Sequence, residues 1–171
     1  MALYKNRYRV DSTRLLGWDY SSLGYYFVTI CTQNRIRFFG EILNGKMVLN
    51  DYGNVVYKEW IRSFSIRQTL IIDDFIVMPN HFHAIIHINN QIETSAITNI
   101  NWKSGVLGAI IGQFKQQVTK NIRNSGLTHF AWQSRFHDHI IRDEQELIHI
   151  RNYINNNPKN WQDDSFNNQT L

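Results

Sequence analysis

The stretch Met78-Pro79-Asn80-His81-Phe82-His83-Ala84-Ile85-Ile86-His87-Ile88 constrains the fold more than any other part of the chain. It is apolar and rich in β-branched residues, the composition of a strand. Pro79 has no N–H to give to a ladder, so the strand begins after it. Side chains alternate between faces along a strand. Phe82, Ala84, Ile86 and Ile88 therefore share one face, which reads as core, while His81 and His83 share the other. Two imidazoles two residues apart on a rigid strand can clamp one metal ion. The same spacing suits two ordinary half-buried histidines, so what stands beside the strand has to decide.

Elsewhere the pattern is that of a mixed domain. Residues 1–22 are polar and aromatic without a clear period and read as an arm. Tyr25 to Cys31 is a strand. Asn44-Gly45 turns a hairpin between residues 38–43 and 46–50. Asp51 is placed to cap a helix with Val55, Val56, Trp60, Ile61 and Phe64 on its apolar stripe. Leu70 to Val77 is a strand, joined by Met78-Pro79-Asn80 to the histidine strand in an antiparallel hairpin. Residues 89–101 are polar and aperiodic and read as a mobile loop. A helix runs from Lys103 to about Arg123, with Val106, Leu107, Ile110, Ile111, Phe114 and Val118 inward, and Gly126 ends it. Ala131 to Ile141 is the last strand, with Phe136 and Ile140 on one face and Arg135, His137 and His139 on the other. Asp143 and Glu146 form a capping-box pattern ahead of a final helix. With the early hairpin set aside, strand, helix, strand, strand, helix, strand is the split βαβ of a ferredoxin-like α+β fold. The chain adds an inserted β-hairpin and a C-terminal helix to that antiparallel sheet. Both crossover helices cover one sheet face, so the histidines look out on the other, where the final helix is the natural cover.

Composition bounds the setting. The 171 residues suffice for one domain, 1–171, with an arm at 1–22 and a tail at 162–171. No apolar run is long enough to span a membrane, the first residues lack a signal-peptide core, and the lone Cys31 fits a reducing compartment. A cytoplasmic protein is expected. The formal charge is +4 and the pI about 9.3, which suits a polyanionic partner without requiring one. Basic and aromatic residues interleave at Tyr4, Arg7, Tyr8 and Arg9, and at Arg35, Arg37, Phe38 and Phe39. Such clusters suit single-stranded nucleic acid, whose bases stack and whose phosphates need neutralising; solvated loops with anchoring rings are the alternative. Lys115, Lys120 and Arg123 lie on the outer helix face, as a solvated surface or a phosphate track.

The final helix carries Leu147, Ile150 and Ile154 as its buried stripe. His149, Tyr153 and Asn157, spaced i, i+4, i+8, form a ridge beside it. Packing the stripe on the sheet brings a phenol and an amide oxygen near His81 and His83, a donor set for a hard divalent cation. A cation at a phosphodiester would let the tyrosine oxygen attack in line. Tyrosine, with a pKa near 10, needs help to lose its proton. Tyr153 also fits a boundary tyrosine on an amphipathic helix. Asn157 has two readings as well: a ligand, or the cap of a short terminal helix with Pro158 at its first position. Pro158 should push Asn157 away from helical dihedrals. The shortage of oxygen donors beside two histidines favours the ligand.

The histidine–hydrophobe–histidine run after Met-Pro-Asn, together with Tyr153-Ile154-Asn155-Asn156-Asn157-Pro158, resembles the HUH single-strand DNA transposases with one catalytic tyrosine. The REP-associated tyrosine transposase branch is the best match. Tyr26 to Thr32, Trp132-Gln133 and His137 to Arg142 also look like that branch, and the resemblance runs from about Tyr8 to Trp161. It implies a transposase: a metal-dependent endonuclease and strand transferase acting on single-stranded DNA beside hairpins through a covalent 5′-phosphotyrosine. It implies Tyr153 as nucleophile and His81, His83 and Asn157 as ligands of Mg²⁺ or Mn²⁺. Arg7, Arg9, Arg35, Arg37, Lys115, Lys120 and His137 are candidate DNA contacts, and His139 a structural residue or a support for the site. The active form would be a monomer or a homodimer. The Lys-Ala-Gly-type continuation usual after Asn-Pro is replaced by Lys159-Asn160-Trp161, which leaves the tail's role open. A non-catalytic hairpin-binding descendant is the main alternative, and a small-ligand ferredoxin-like module a third.

Overall fold

The computed structural model describes residues 23–67, 70–89 and 106–167. The arm with Arg7 and Arg9, most of the polar segment after residue 88, and the helix start expected at Lys103 lie outside the described residues. The elements are β1 (Gly24–Cys31), β2 (Gly40–Leu43), β3 (Lys46–Leu49), α1 (Asp51–Ser65), β4 (Leu70–Val77), β5 (His81–Ile88), α2 (Val106–Asn124), β6 (His137–Ile141) and α3 (Glu144–Asn156). Four strands make one antiparallel sheet in the order β4-β5-β1-β6. This is the ferredoxin-like arrangement, and β2 and β3 form a separate ribbon. That ribbon turns at Asn44 and Gly45, both at positive φ, as an Asn-Gly hairpin requires.

The centre of the sheet is covered on both faces. On one, Tyr26, Val28, Ile30, Phe82, Ala84 and Ile86 join residues of α1 and α2 in the main core. Trp60 is its hub, with ring centroids 4.8 Å from Phe82 and 5.0 Å from Phe114. On the other, Ile85 and Ile141 pack with Leu147, Ile150 and Ile154 of α3. A helix of 13 residues is marginal alone, so this stripe, at ~1.5–3 kcal/mol per buried aliphatic side chain, holds it in place. The expected amphipathic faces of β5 and α3 are the observed ones.

A second device holds α3. The ladder between β4 and β5 shifts register between Ile72 and Phe75, so Asp73 and Asp74 stand at a bulge. Arg151 of α3 grips Asp73 with two hydrogen bonds, Nε to Oδ1 at 2.9 Å and Nη2 to Oδ2 at 2.6 Å. Asn155 donates to Asp74 at 2.7 Å. Residues on either side of Tyr153 are thus tied to the edge strand.

Two local expectations change. The N-cap of α1 is Asn50, whose side chain accepts from Gly53 N at 3.0 Å, and Asp51 is the first helical residue. Gly53 is needed there, because a Cβ would lie 2.2 Å from the carbonyl oxygen of Phe39. Phe39 N in turn donates to Pro79 O at 3.0 Å, so the hairpin and α1 brace the turn ahead of the histidines. The last strand is short, His137–Ile141, with an isolated bridge between Trp132 and Thr32. Lys115 Nζ donates to the carbonyls of Gln133 and Ser134 at 2.6 and 3.3 Å, occupying acceptors that a longer strand would need.

The Asp73 grip carries a pH signature. Burial pushes the Asp73 carboxyl up, but the Arg151 hydrogen bonds, the Asp74 amide and the charge of Arg151 together hold it below its ordinary value. The grip therefore contributes stability above the unfolded carboxylate pKa of about 4 and loses it as the pH falls through the lowered folded value. Asp73→Asn should cost about 1–3 kcal/mol at pH 7, read as a lower melting temperature. The difference from wild type should shrink steadily below pH 4; a gap of constant size from pH 7 to pH 3 would rule the ion pair out as its source.

Candidate metal and nucleophile site

His81 and His83 stand on the α3 side of β5, opposite Cys31 and Thr29 of β1 in the ladder, and are 0% and 1% exposed. Two such rings need partners, and the partners fix their protons. Asn80 Nδ2 donates to the carbonyls of Arg35 (3.0 Å) and Phe166 (2.7 Å). Both are acceptors only, so Asn80 presents its amide oxygen to His81 Nδ1 at 2.8 Å. That oxygen cannot donate, so Nδ1 of His81 carries the proton and Nε2 keeps its lone pair. His83 Nδ1 meets Thr29 Oγ1 at 2.8 Å, and His83 Nε2 meets the hydroxyl of Tyr153 at 3.3 Å. Hydrogen-bonding one ring nitrogen to free the other is how ligand histidines are oriented.

Tyr153 reaches the site from α3 and is 40% exposed, while the imidazoles are sealed. Its ring meets His83 edge-on at 5.3 Å and Phe27 at 6.1 Å. One turn further on, Asn157 is buried and keeps helical dihedrals, φ −53° and ψ −43°. The expected push from Pro158 does not occur, and the ridge continues straight from Tyr153. Nor does Asn157 cap a following helix: the short 3₁₀ turn Trp161–Asp163 starts from Asn160. His149, the first of the ridge, remains exposed.

The tail completes the site. Asp164 Oδ2 lies 3.9 Å from His81 Nε2, and a ligand atom from each of His81, His83 and Asp164 falls within 4.8 Å of the others. Phe166 packs over both rings, at 4.8 Å from His81 and 5.8 Å from His83. Arg35 and Arg37 hold this tail, donating to Ser165 O at 2.8 Å and Asn167 Oδ1 at 2.7 Å. Their guanidinium groups also lie near the rings of Phe166 and Trp161.

Burial and the nearby Arg35 charge push His81 down to about 3, against a smaller opposing effect of Asn157. Burial, then His81, puts His83 well below its ordinary value. Both rings are therefore neutral, and the approach of Asp164 to His81 is no ion pair. His81 Nε2, Asn157 Oδ1 and Asp164 Oδ2 are all buried without a hydrogen-bond partner. An unsatisfied buried polar atom costs about 1–3 kcal/mol, so three together need a common explanation. Neutral imidazole, amide oxygen and carboxylate are donors suited to a divalent cation, and the residues present fit one.

The structure brings together His81, His83, Tyr153 and Asn157 as the sequence suggested, and places Arg35 and Arg37 at the rim against the tail. Lys115 and Lys120 lie elsewhere, on α2. His137 is exposed on β6, and His139 pairs with Glu146 of α3 at 2.6 Å, a structural link. Asp164 and Asn80 were missed. Asn80 stands in the Met-Pro-Asn run, which serves above as a connection and as part of the family motif but without a role for the asparagine, and nothing in Gln162-Asp163-Asp164 marks the second acid over the first.

A family model described as "Transposase IS200 like" matches residues 20–157, a span that includes the two histidines, the tyrosine and Asn157. The chain belongs to the IS200-like transposase family. Asp164 lies beyond the matched span. The chain is similar to an uncharacterized protein of Haemophilus influenzae, 38% identical over 162 residues and 90% of both chains. It is also similar to a "Putative REP-associated tyrosine transposase" of that organism, 26% identical over 145 residues, covering 82% of this chain and 73% of the other. Among solved structures it resembles a REP-associated tyrosine transposase bound to a REP hairpin. That likeness has a TM-score of 0.58 and 22% identity, over 89% of this chain and 74% of the other. These likenesses agree with the HUH, REP-associated branch that the motifs resemble. Among the described residues no helix is long and apolar enough to cross a membrane.

The depressed histidines of this transposase predict its acid response. A folded-state pKa below the unfolded value of about 6.5 gives stability that is present above that value and lost as the pH falls. The melting temperature of the metal-free protein should drop as the pH is lowered from 7 to 5, before carboxylates titrate, and the drop should be smaller in His83→Gln. A melting temperature flat over that range would mean that the rings are not held neutral.

Proposed function

We propose that this transposase is a metal-dependent, sequence-specific endonuclease and strand transferase acting on single-stranded DNA beside a hairpin, with Tyr153 as nucleophile. The observation that carries this reading is the Tyr153 hydroxyl, 3.3 Å from His83 Nε2 at the edge of a buried set of unpartnered donor atoms. His81, His83 and Asn157 would hold Mg²⁺ or Mn²⁺, with Asp164 as a further oxygen donor. When bound, the cation withdraws charge from the phosphate and orients it.

The chain's own residues supply the rest. Tyr153 Oη forms a bond to phosphorus as the bond from phosphorus to the 3′ oxygen breaks. The DNA 5′ phosphate stays on the tyrosine, and the released 3′ oxygen takes up a proton. Burial first, then Asp164, raises the pKa of Tyr153, while Asn157 acts in the opposite direction and eases loss of the proton. Asn80 and Thr29 keep the two imidazoles in register. Arg35 and Arg37, bonded to Ser165 O and Asn167 Oδ1 of the tail, stand at the rim of the site, where they are placed to meet phosphate oxygens of an approaching strand. The meeting of nucleophile and donors within one chain favours a monomer acting in cis, with a homodimer as the alternative. The similarity to REP-associated relatives, one of them bound to a hairpin, supports a DNA hairpin as the partner.

The test is a denaturing gel of end-labelled hairpin DNA incubated with protein and Mn²⁺. Wild type should give a covalent protein–DNA band. Tyr153→Phe should bind the same DNA with unchanged affinity and give no band, because only the attacking oxygen is lost. A band of wild-type intensity from Tyr153→Phe would remove Tyr153 from the mechanism.

A further inference from the structure

We infer that Asp73 and Asp74, at the bulge of β4, are positioning residues for the reaction at Tyr153, acting through Arg151 and Asn155 of α3. The inference rests on the reading of Tyr153 as nucleophile. Successive residues of an α-helix are turned by about 100°. The buried stripe of α3, Leu147, Ile150 and Ile154, therefore has Arg151 and Asn155 on one flank and Tyr153 and Asn157 on the other. The contacts follow that division. Arg151 and Asn155 reach Asp73 and Asp74 of β4, whereas Tyr153 meets His83 of β5 and Phe27 of β1.

The apolar stripe keeps the helix on the sheet but tolerates some roll about the helix axis, because hydrophobic burial has no fixed direction. A bidentate ion pair does not tolerate it: its two N–H···O bonds set angle as well as distance. The acid end of the grip is itself braced, since Asp73 Oδ1 also accepts from Asp74 N at 2.7 Å. Roll matters on the opposite flank. A point ~6 Å from the axis moves by about 1 Å for a roll of roughly 10°, and a misplacement of about 1 Å can cost ~100-fold in rate. Tyr153 has little of its own to resist this. Its hydroxyl lies 3.3 Å from His83 Nε2, long for a hydrogen bond, and its ring is exposed on the outer side. Another directional restraint on α3, the pair of His139 with Glu146, acts in the first turn, ~10 Å along the axis from Tyr153. The grip on β4 acts beside the tyrosine.

The test compares Arg151→Ala, Arg151→Lys and Asn155→Ala with wild type and with Gln145→Ala, at an exposed position of α3. Alanine suits a helix, and lysine keeps the charge but not the planar fork. Each protein is measured at a temperature where its melting curve shows it fully folded. Single-turnover formation of the covalent adduct with end-labelled hairpin DNA and Mn²⁺ gives the rate, and gel shift gives the dissociation constant. Arg151→Ala should slow adduct formation by about 100-fold. Arg151→Lys should recover part of that loss, Asn155→Ala should lose less, and Gln145→Ala should match wild type. All dissociation constants should stay at the wild-type value. Variants that melt lower but react at the wild-type rate when folded would leave the grip a structural role and overturn the inference. Weaker DNA binding with an unchanged rate once bound would overturn it too, by making Arg151 a DNA contact. A second readout needs neither DNA nor metal. With fluorotyrosine at Tyr153, the ¹⁹F resonance should shift in His83→Gln, and in Arg151→Ala should move toward that of a solvent-exposed fluorotyrosine. A resonance unchanged in both Arg151→Ala and Asn155→Ala would overturn the inference. Absence of any adduct from wild type would count against the nucleophile reading alone, because the fluorine spectrum still reports whether the grip places the phenol.

Discussion

A strand has two faces, and β5 is buried on both. The main core takes Phe82, Ala84 and Ile86, and α3 takes Ile85 on the other side. His81 and His83 fall on the α3 face, and the face cannot be changed without moving every apolar residue of the strand to the wrong side. The chain therefore has two imidazoles in a sealed position where a hydrocarbon would have packed at no polar cost. It satisfies Nδ1 of each ring, through Asn80 and Thr29, and leaves Nε2 aimed at the tail or the tyrosine. A purely structural pair of histidines would not need Asn157 Oδ1 and Asp164 Oδ2 beside it, both buried and both without partners.

The helix that carries Tyr153 is placed by two unlike interactions. Its apolar stripe sets the depth of packing, which is tolerant of small shifts along the sheet. The bidentate grip of Arg151 on Asp73, with Asn155 on Asp74, is directional and sets the position along β4. Because both donors flank Tyr153, the bulge on the edge strand fixes where the phenol oxygen stands relative to His83. The same bulge interrupts the sheet edge, which discourages further strand pairing there.

Much of this was legible in the residues. Alternation in β5, the Asn-Gly turn, and the i, i+4 step from Tyr153 to Asn157 each express a local period, and each appears as read. What failed to show was set by partners distant in sequence. Asn50 displaced Asp51 as a cap because its amide also reaches the Phe38 carbonyl. The expected long last strand is interrupted after Gln133: Trp132 still bridges Thr32, while Lys115, some 18 residues earlier, takes the Gln133 carbonyl. The bulge at Asp73 is visible only with α3 in place. Asp164 and Phe166 become part of the site only because Arg35, Arg37 and Asn80 hold the tail across it, and no short-range pattern encodes that return. The dihedral bias expected of Asn157 before Pro158 was real in kind but weaker than the packing of α3.

The central claim is that the paired histidines of β5 are cation ligands rather than core. Its most direct test is electron spin-echo spectroscopy of one equivalent of Mn²⁺ added to the protein labelled with ¹⁵N only at histidine. Two directly bound imidazoles should give strong ¹⁵N couplings, reduced to one ring in His81→Gln or His83→Gln. Mn²⁺ that binds with no histidine coupling, or with couplings unchanged in both variants, would show that the cation sits elsewhere and that the two rings are only buried histidines.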